Sequence, residues 1–303
     1  MLRIASIGEC MIELSETAGG DGAMHLTFGG DTLNTAVYLA RSLGDCDAEV
    51  HYVTALGDDP FSDEMLAAWQ GEGLKTDQVR RLPGRLPGLY IIRTDENGER
   101  SFHYWRNAAA ARELCRPEQA EALKGALAGF DLVYLSGITL GILDAESRGR
   151  LFGLLETLKQ GGCRIAFDTN YRPRLWESPE EAREAATKVL SLADIALPTF
   201  EDDAALFGDT GPEATVERLF GLGVEEVVVK CGAEPCVIGR RRGIARVTGE
   251  KVEKPLDTTA AGDSFNGAYL AARLAGAGPE EAAAAGHRLA ARVIATKGAI
   301  IPA

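Results

Sequence analysis

The chain contains no run of 18 or more apolar residues, which excludes a membrane-spanning helix of ordinary length. Cysteine is scarce and scattered. Cys10, Cys46, Cys115, Cys163, Cys231 and Cys236 include no C-x-x-C pair, so neither a zinc site nor a disulfide framework is signalled. Buried free thiols in a cytoplasmic protein are expected instead. His25, His51, His103 and His287 have no ligand spacing, and H-E-x-x-H is missing. The phosphate-loop pattern G-x-x-x-x-G-K-[ST] is missing too, and no G-x-G-x-x-G follows an apolar run, which disfavours a dinucleotide site. Positive charge is in deficit: 32 Lys and Arg face 45 Asp and Glu, a net charge of -13. So acidic a surface repels nucleic-acid phosphates and anionic membranes, and neither is expected as a partner. A small anionic ligand would need local positive groups. The opening stretch MLRIASIGECMIEL carries Glu9 and Glu13 and no cleavage-like site, unlike a signal peptide.

What is present is an ordinary globular composition, 46% hydrophobic and 25% charged over 303 residues, with ample chain for one large core. Apolar runs predict buried strands at 2–7, 50–56, 131–136, 164–168, 194–197 and 226–231. Helical spacing predicts helices at 32–43, 62–71, 117–128, 145–160, 179–191, 213–221, 263–275 and 280–296. Asp31 or Thr32 is the expected N-cap of the first. Strand–helix alternation of this kind implies an α/β fold with a doubly wound, mostly parallel sheet covered on both faces. Two stretches break the rhythm. Residues 9–30 hold two short strand patterns around a Gly-rich turn, and 88–106 alternate around Glu96-Asn97-Gly98, a hairpin signal. Together they are expected to form a small β-sheet lid on a single domain spanning 1–303.

The strongest chemical signal is Asp257-Thr-Thr-Ala-Ala-Gly-Asp263 opening a helical pattern. The small residues Ala260, Ala261 and Gly262 let backbone N–H groups approach an anion, and a helix start adds open donors and a positive dipole end. An acid at such a site repels phosphate, but it makes sense as the base that takes a proton from a hydroxyl attacking phosphorus. The same residues have a plain structural use, with Asp263 as a helix cap and the alanines as packing. A second signal is Phe28-Gly-Gly-Asp-Thr-Leu-Asn34, where Gly30 permits close backbone approach and Asp31 and Asn34 offer the hydrogen bonds a polyol needs. Alone, it reads equally as a capped turn. Arg106, at the end of Tyr104-Trp-Arg106, and Arg172, in Asp168-Thr-Asn-Tyr-Arg-Pro173, are candidates for gripping a carboxylate, and Arg172 could alternatively serve nucleotide phosphates. Lys230-Cys-Gly232 after a strand could present backbone to a nucleotide.

Taken together, these stretches resemble the ribokinase-like (phosphofructokinase B type) sugar kinases over essentially the whole chain. Gly29, Gly30 and Asn34 match the first family signature, Gly57-Asp-Asp59 the G-D-D turn, and Asp257 to Asp263 the second signature. Within the family, Ile7-Gly-Glu-Cys-Met-Ile-Glu13, His103-Tyr-Trp-Arg106 and Asp168 to Trp176 are similar to members acting on the sugar acid 2-keto-3-deoxy-D-gluconate. The resemblance implies transfer of the ATP γ-phosphoryl group to O6. It implies catalysis by Asp263 with the Ala260, Ala261 and Gly262 backbone, and substrate binding by Gly30, Asp31, Asn34, Tyr90, Tyr104, Arg106, Arg172 and Asp263. For the nucleotide it implies Asn170, Arg172, Lys230, Gly232, Ala261 and Gly262, with the tail 297–302 closing over the adenine. Where the family carries N-x-x-E, this chain has Thr199-Phe-Glu-Asp202, so Mg²⁺ is expected at Asp202 only through water. The family also binds a monovalent cation at the loop holding Asp257, and its members often associate through the lid, so a homo-oligomer is expected. The alternatives are a neutral-sugar fructokinase or ribokinase, against which Arg106 stands, and a sugar sensor without catalysis, against which Asp263 stands.

Overall fold

The computed structural model describes residues 1–16, 22–94, 100–240 and 243–302. In chain order the elements begin β1 (Leu2–Ile7), β2 (Met11–Glu16), β3 (Met24–Gly29), α1 (Asp31–Ser42), β4 (Ala48–Leu56), α2 (Pro60–Gly71), β5 (Val79–Arg81), β6 (Gly88–Thr94) and β7 (Arg100–Trp105). Next come α3 (Pro117–Ala126), β8 (Leu132–Ser136), α4 (Gly137–Ile142), α5 (Ala145–Gln160), β9 (Arg164–Asp168), α6 (Pro179–Leu190), β10 (Ile195–Ala196), α7 (Phe200–Phe207) and α8 (Pro212–Gly221). The chain closes with β11 (Glu226–Cys231), β12 (Glu234–Arg240), β13 (Gly243–Val247), α9 (Ala261–Leu274) and α10 (Pro279–Ile294).

Nine strands form one sheet in the order β13-β12-β11-β10-β9-β8-β1-β4-β5. Its strands from β5 to β11 are parallel, and β12 and β13 turn back antiparallel at one edge. The parallel strands read as continuous apolar runs because both faces are buried. Along β1, Ala5 and Ile7 enter the core beneath α5 and α6, while Ile4 enters the opposite core with α1, α9 and α10. From β1 the chain first moves to β4 and β5, then returns to β8 on the other side. That reversal opens a crevice at the carboxyl ends of the strands, where α/β sheets bind ligands.

The second sheet has four strands in the order β3-β2-β6-β7. The two irregular stretches therefore do form a separate sheet, as expected. Glu96, Asn97, Gly98 and residues 17–21, where the Gly-rich turn is expected, lie outside the described residues. On this sheet Glu13 pairs with Tyr90, and Tyr90 with Tyr104, so all three side chains share one face.

Two corrections concern helix starts. Neither Asp31 nor Thr32 caps α1; Gly30 precedes it without a side-chain cap. Asp31 instead accepts from Asn170 Nδ2 at 2.8 Å, and the Thr32 hydroxyl lies 3.2 Å from that of Tyr52. Asp263 does not cap α9 either: the cap position is Ala260, and Asp263 sits within the first turn. Gly267 fixes how α9 meets α1, since a Cβ there would stand 2.8 Å from Leu39 N and Thr35 O. Four of the six thiols are buried, Cys46 and Cys231 being half-buried, and all six are free. No helix among the described residues is long and apolar enough to cross a membrane.

Candidate active site

The crevice is a cavity of about 1550 Å³ lined from both sheets and from the starts of α1 and α9. Single drug-sized ligands occupy roughly 300–1,000 Å³, so this space suits two substrates side by side. Among the described residues, only Asn170 (φ 33°) and Ala260 (φ 59°) are non-glycine residues with positive φ, and both line it. Backbone strain held at a cavity wall is a mark of a functional site.

The reactive end lies at the start of α9. The Ala261 N–H turns back to the Thr258 carbonyl at 3.3 Å, which leaves Gly262 and Asp263 at the open end of the helix. Asn34 on α1 donates to Asp263 Oδ2 at 2.9 Å. Burial, and next the nearby Asp31 carboxylate, push the Asp263 carboxyl up to about 7 against the opposing Asn34 hydrogen bond. Burial also raises Asp31, reinforced by Asp168. The site thus holds an acid poised to exchange a proton near neutral pH.

Below it, Lys230 Nζ donates to Asp168 Oδ2 at 2.6 Å and to Asn266 Oδ1 at 3.0 Å. On the far wall, Arg172 bridges both Asp202 oxygens at 3.1 Å, and its Nη1 donates to the Tyr171 carbonyl at 2.8 Å. Burial raises the Asp202 carboxyl while Arg172 opposes the shift.

The small sheet supplies the opposite side. Arg106 forms an ion pair with Glu9, whose side chain is 1% exposed, and its guanidinium lies 5.8 Å from the Tyr104 ring centre. Glu9 is raised by desolvation, with Arg106 the main opposing influence, and its Oε1 is buried without a hydrogen-bond partner. The Tyr90 hydroxyl donates to Glu13, and its ring stacks on Tyr104 at 5.7 Å.

Gly30, Asp31, Asn34, Tyr90, Tyr104, Arg106, Asn170, Arg172, Asp202, Lys230, Ala260, Ala261, Gly262 and Asp263, all singled out from the sequence, line this one cavity. Gly232 is not among its lining residues; with φ 58° it turns β11 into β12. The tail is pinned to α1, with the Tyr38 hydroxyl donating to the Ala299 carbonyl at 2.6 Å and Arg41 to that of Ile301 at 2.6 Å. Glu9, Glu13, Asn266 and Arg174 are additional residues that sequence reasoning did not single out. The signal for Glu9 and Glu13 was present, as acids within an otherwise apolar segment. Arg174 lines the cavity two residues beyond Arg172 and has no ion pair among the described residues.

Residues 1–303 match the family described as pfkB family carbohydrate kinase. The chain is 50% identical over 302 residues to the 2-dehydro-3-deoxygluconokinase of Dickeya dadantii (strain 3937), covering 99% of this chain and 96% of the relative. It is likewise 50% identical over 303 residues to the 2-dehydro-3-deoxygluconokinase of Escherichia coli (strain K12), covering 99% and 97%. A solved E. coli structure, a putative ribokinase II in complex with ATP and Mg²⁺, shares the fold at a TM-score of 0.86 and 22% identity, covering 99% of this chain and 94% of that one.

Proposed function

This chain belongs to the pfkB family of carbohydrate kinases, and from that premise we propose that it phosphorylates 2-keto-3-deoxy-D-gluconate at O6 with ATP. The observation that carries the reading is Asp263, raised to about 7 at the open end of α9, in a cavity whose other walls carry Arg106, Arg172 and Arg174. A neutral hexose has no use for guanidinium groups; a sugar acid does. Arg106, held by Glu9, and Arg172, held by Asp202, are the cations that would grip the substrate carboxylate, with Arg174 beside them on the cavity wall. The 50% identical relatives that carry the name 2-dehydro-3-deoxygluconokinase support the same choice.

In the reaction, Asp263 accepts the proton of the primary hydroxyl as its oxygen attacks the γ-phosphorus. The O6–P bond forms, the bond from the γ-phosphorus to the β,γ-bridging oxygen breaks, and ADP departs. The Gly262 and Asp263 N–H groups face the charge that develops on the group in transit. Closure of the small sheet excludes water, the competing acceptor.

The described residues contain no group of three or more His, Cys, Asp or Glu side chains able to hold a metal ion. That fits Mg²⁺, which dehydrates reluctantly and arrives on phosphates rather than in a protein cage. Asp202 would hold it through water, and the ion would neutralise phosphate charge. Asp257 accepts from the N–H groups of Thr259 and Gly298, each at 2.9 Å, and a monovalent cation would share that loop. The free thiols suit a reducing cytoplasm. Exposed Leu26 and Trp105 on the small sheet suit a homo-oligomer, which sedimentation would reveal against a monomer.

The test is ADP release with Mg²⁺-ATP and five acceptors: 2-keto-3-deoxygluconate, its galactonate epimer, gluconate, fructose and ribose. Preference for the keto-deoxy acids supports the reading. Preference for fructose or ribose keeps Asp263 and discards the carboxylate argument. Turnover of none of them favours a sensor.

A further inference from the structure

Lys230 is the penultimate residue of β11, with the ammonium beneath the start of α9. A Cβ on Gly262 would stand 3.5 Å from Lys230 Nζ. Of its three donors, one goes to Asp168 and one to Asn266, which leaves the third for the cavity that Lys230 lines. The partners are themselves fixed. Asn266 Nδ2 donates to Asp168 Oδ2 at 2.7 Å and to the Tyr134 hydroxyl at 3.2 Å, and the Thr35 hydroxyl donates to that of Tyr134 at 3.3 Å. Asp168 Oδ1 accepts the Asn170 N–H at 3.1 Å. Asn266, Tyr134 and Thr35 are almost wholly inaccessible. A buried ion pair contributes little net stability, and apolar groups of similar volume often serve as well. Here a chain of buried polar groups runs through the core and emerges at a single ammonium.

We propose that Lys230 is a catalytic residue whose ammonium binds the phosphoryl group in transit, with Asp168 and Asn266 as the positioning residues that hold it beside Gly262. This rests on the phosphotransfer reading above. The bonds made and broken are those already given, the proton goes to Asp263, and Lys230 keeps its own protons throughout. Its charge adds to the backbone donors where charge spreads over the equatorial oxygens.

The experiment compares wild type, Lys230→Met and the double variant Lys230→Met/Asp168→Asn, using whichever acceptor the wild type turns over fastest. The single variant is expected to lose ~10²–10³-fold in kcat, as for removal of one oxyanion donor, with ADP affinity within about threefold. The double variant removes the carboxylate that the first strands, so it folds even where the single variant does not, and it is expected to stay equally slow. Recovery of the double variant to within about threefold of wild type would mean that Lys230 merely neutralises Asp168, and would overturn the proposal. So would a folded single variant with near-normal kcat. Slow hydrolysis of ATP without acceptor separates this proposal from the choice of sugar. It should fall by the same factor in both variants, and unchanged hydrolysis overturns the Lys230 role whatever the acceptor panel shows.

Discussion

Replacing Asp263 by Asn should slow the enzyme and stabilise the protein at once. The carboxyl is raised from 3.8 to about 7, so the folded state binds its proton more firmly than the unfolded chain does. Wild-type stability therefore falls as pH rises from 3.8 to about 7, and stays low above that. A shift of about 3 pH units corresponds to about 4 kcal/mol as an upper bound. Water in the open cleft screens much of this, so about 1–2 kcal/mol is expected. Asn keeps a group able to meet Asn34 and carries no charge, so Asp263→Asn should melt about 2–3 °C higher at pH 8. The gap should close as pH falls towards 4. Turnover should drop at least ~10²-fold with ATP binding largely intact. Scanning calorimetry at pH 8 and pH 4, with a steady-state assay, reads both. A variant no more stable than wild type at pH 8 would refute the strained-acid argument, and near-normal turnover would remove Asp263 from the base role.

Arg106→Ala should raise KM for the sugar acid about tenfold or more while KM for ATP stays within about threefold; equal effects on both would argue against carboxylate recognition. The same variant strands the buried Glu9 carboxylate and should lose roughly 2–5 kcal/mol of stability, read by urea denaturation. Gly267→Ala places a methyl group 2.8 Å from the backbone of α1. It should cost about 1–3 kcal/mol and lower kcat by displacing Asp263 from Asn34, and a variant with wild-type melting would show that the two helices can separate freely.

The parallel strands were legible because burial on both faces leaves an uninterrupted apolar run; β1, β9 and β11 form over the expected residues. The helix at 145–160 was equally plain, being long and periodic. The six-residue α4 and eight-residue α7 were not, since neither is long enough to show a period. The start of α9 was legible through its run of small residues before an acid. What sequence could not show was which charges meet. Glu9 and Arg106 lie 97 positions apart, and Asp168 and Lys230 are 62 apart. Nothing in a lone Glu or Arg names its partner until the strands are stacked. Gly232 had the right neighbours for a nucleotide loop; in the fold it turns β11 into β12, outside the lining of the cavity.

The contact between Gly267 and α1 has a consequence for how the molecule senses its substrate. Asn34 and Asp263 belong to two helices in backbone contact, so the base is part of the rigid floor. Tyr104 belongs to the other sheet, and Arg106 directly follows its last strand. A sugar acid touching both is the latch between them, with its carboxylate on one side and its reacting hydroxyl on the other. An analogue lacking the carboxylate would reach the floor and leave the upper sheet without a reason to settle. Its penalty would then appear in the rate of the chemical step as well as in affinity, because binding energy at one end of the ligand is what assembles the geometry at the other.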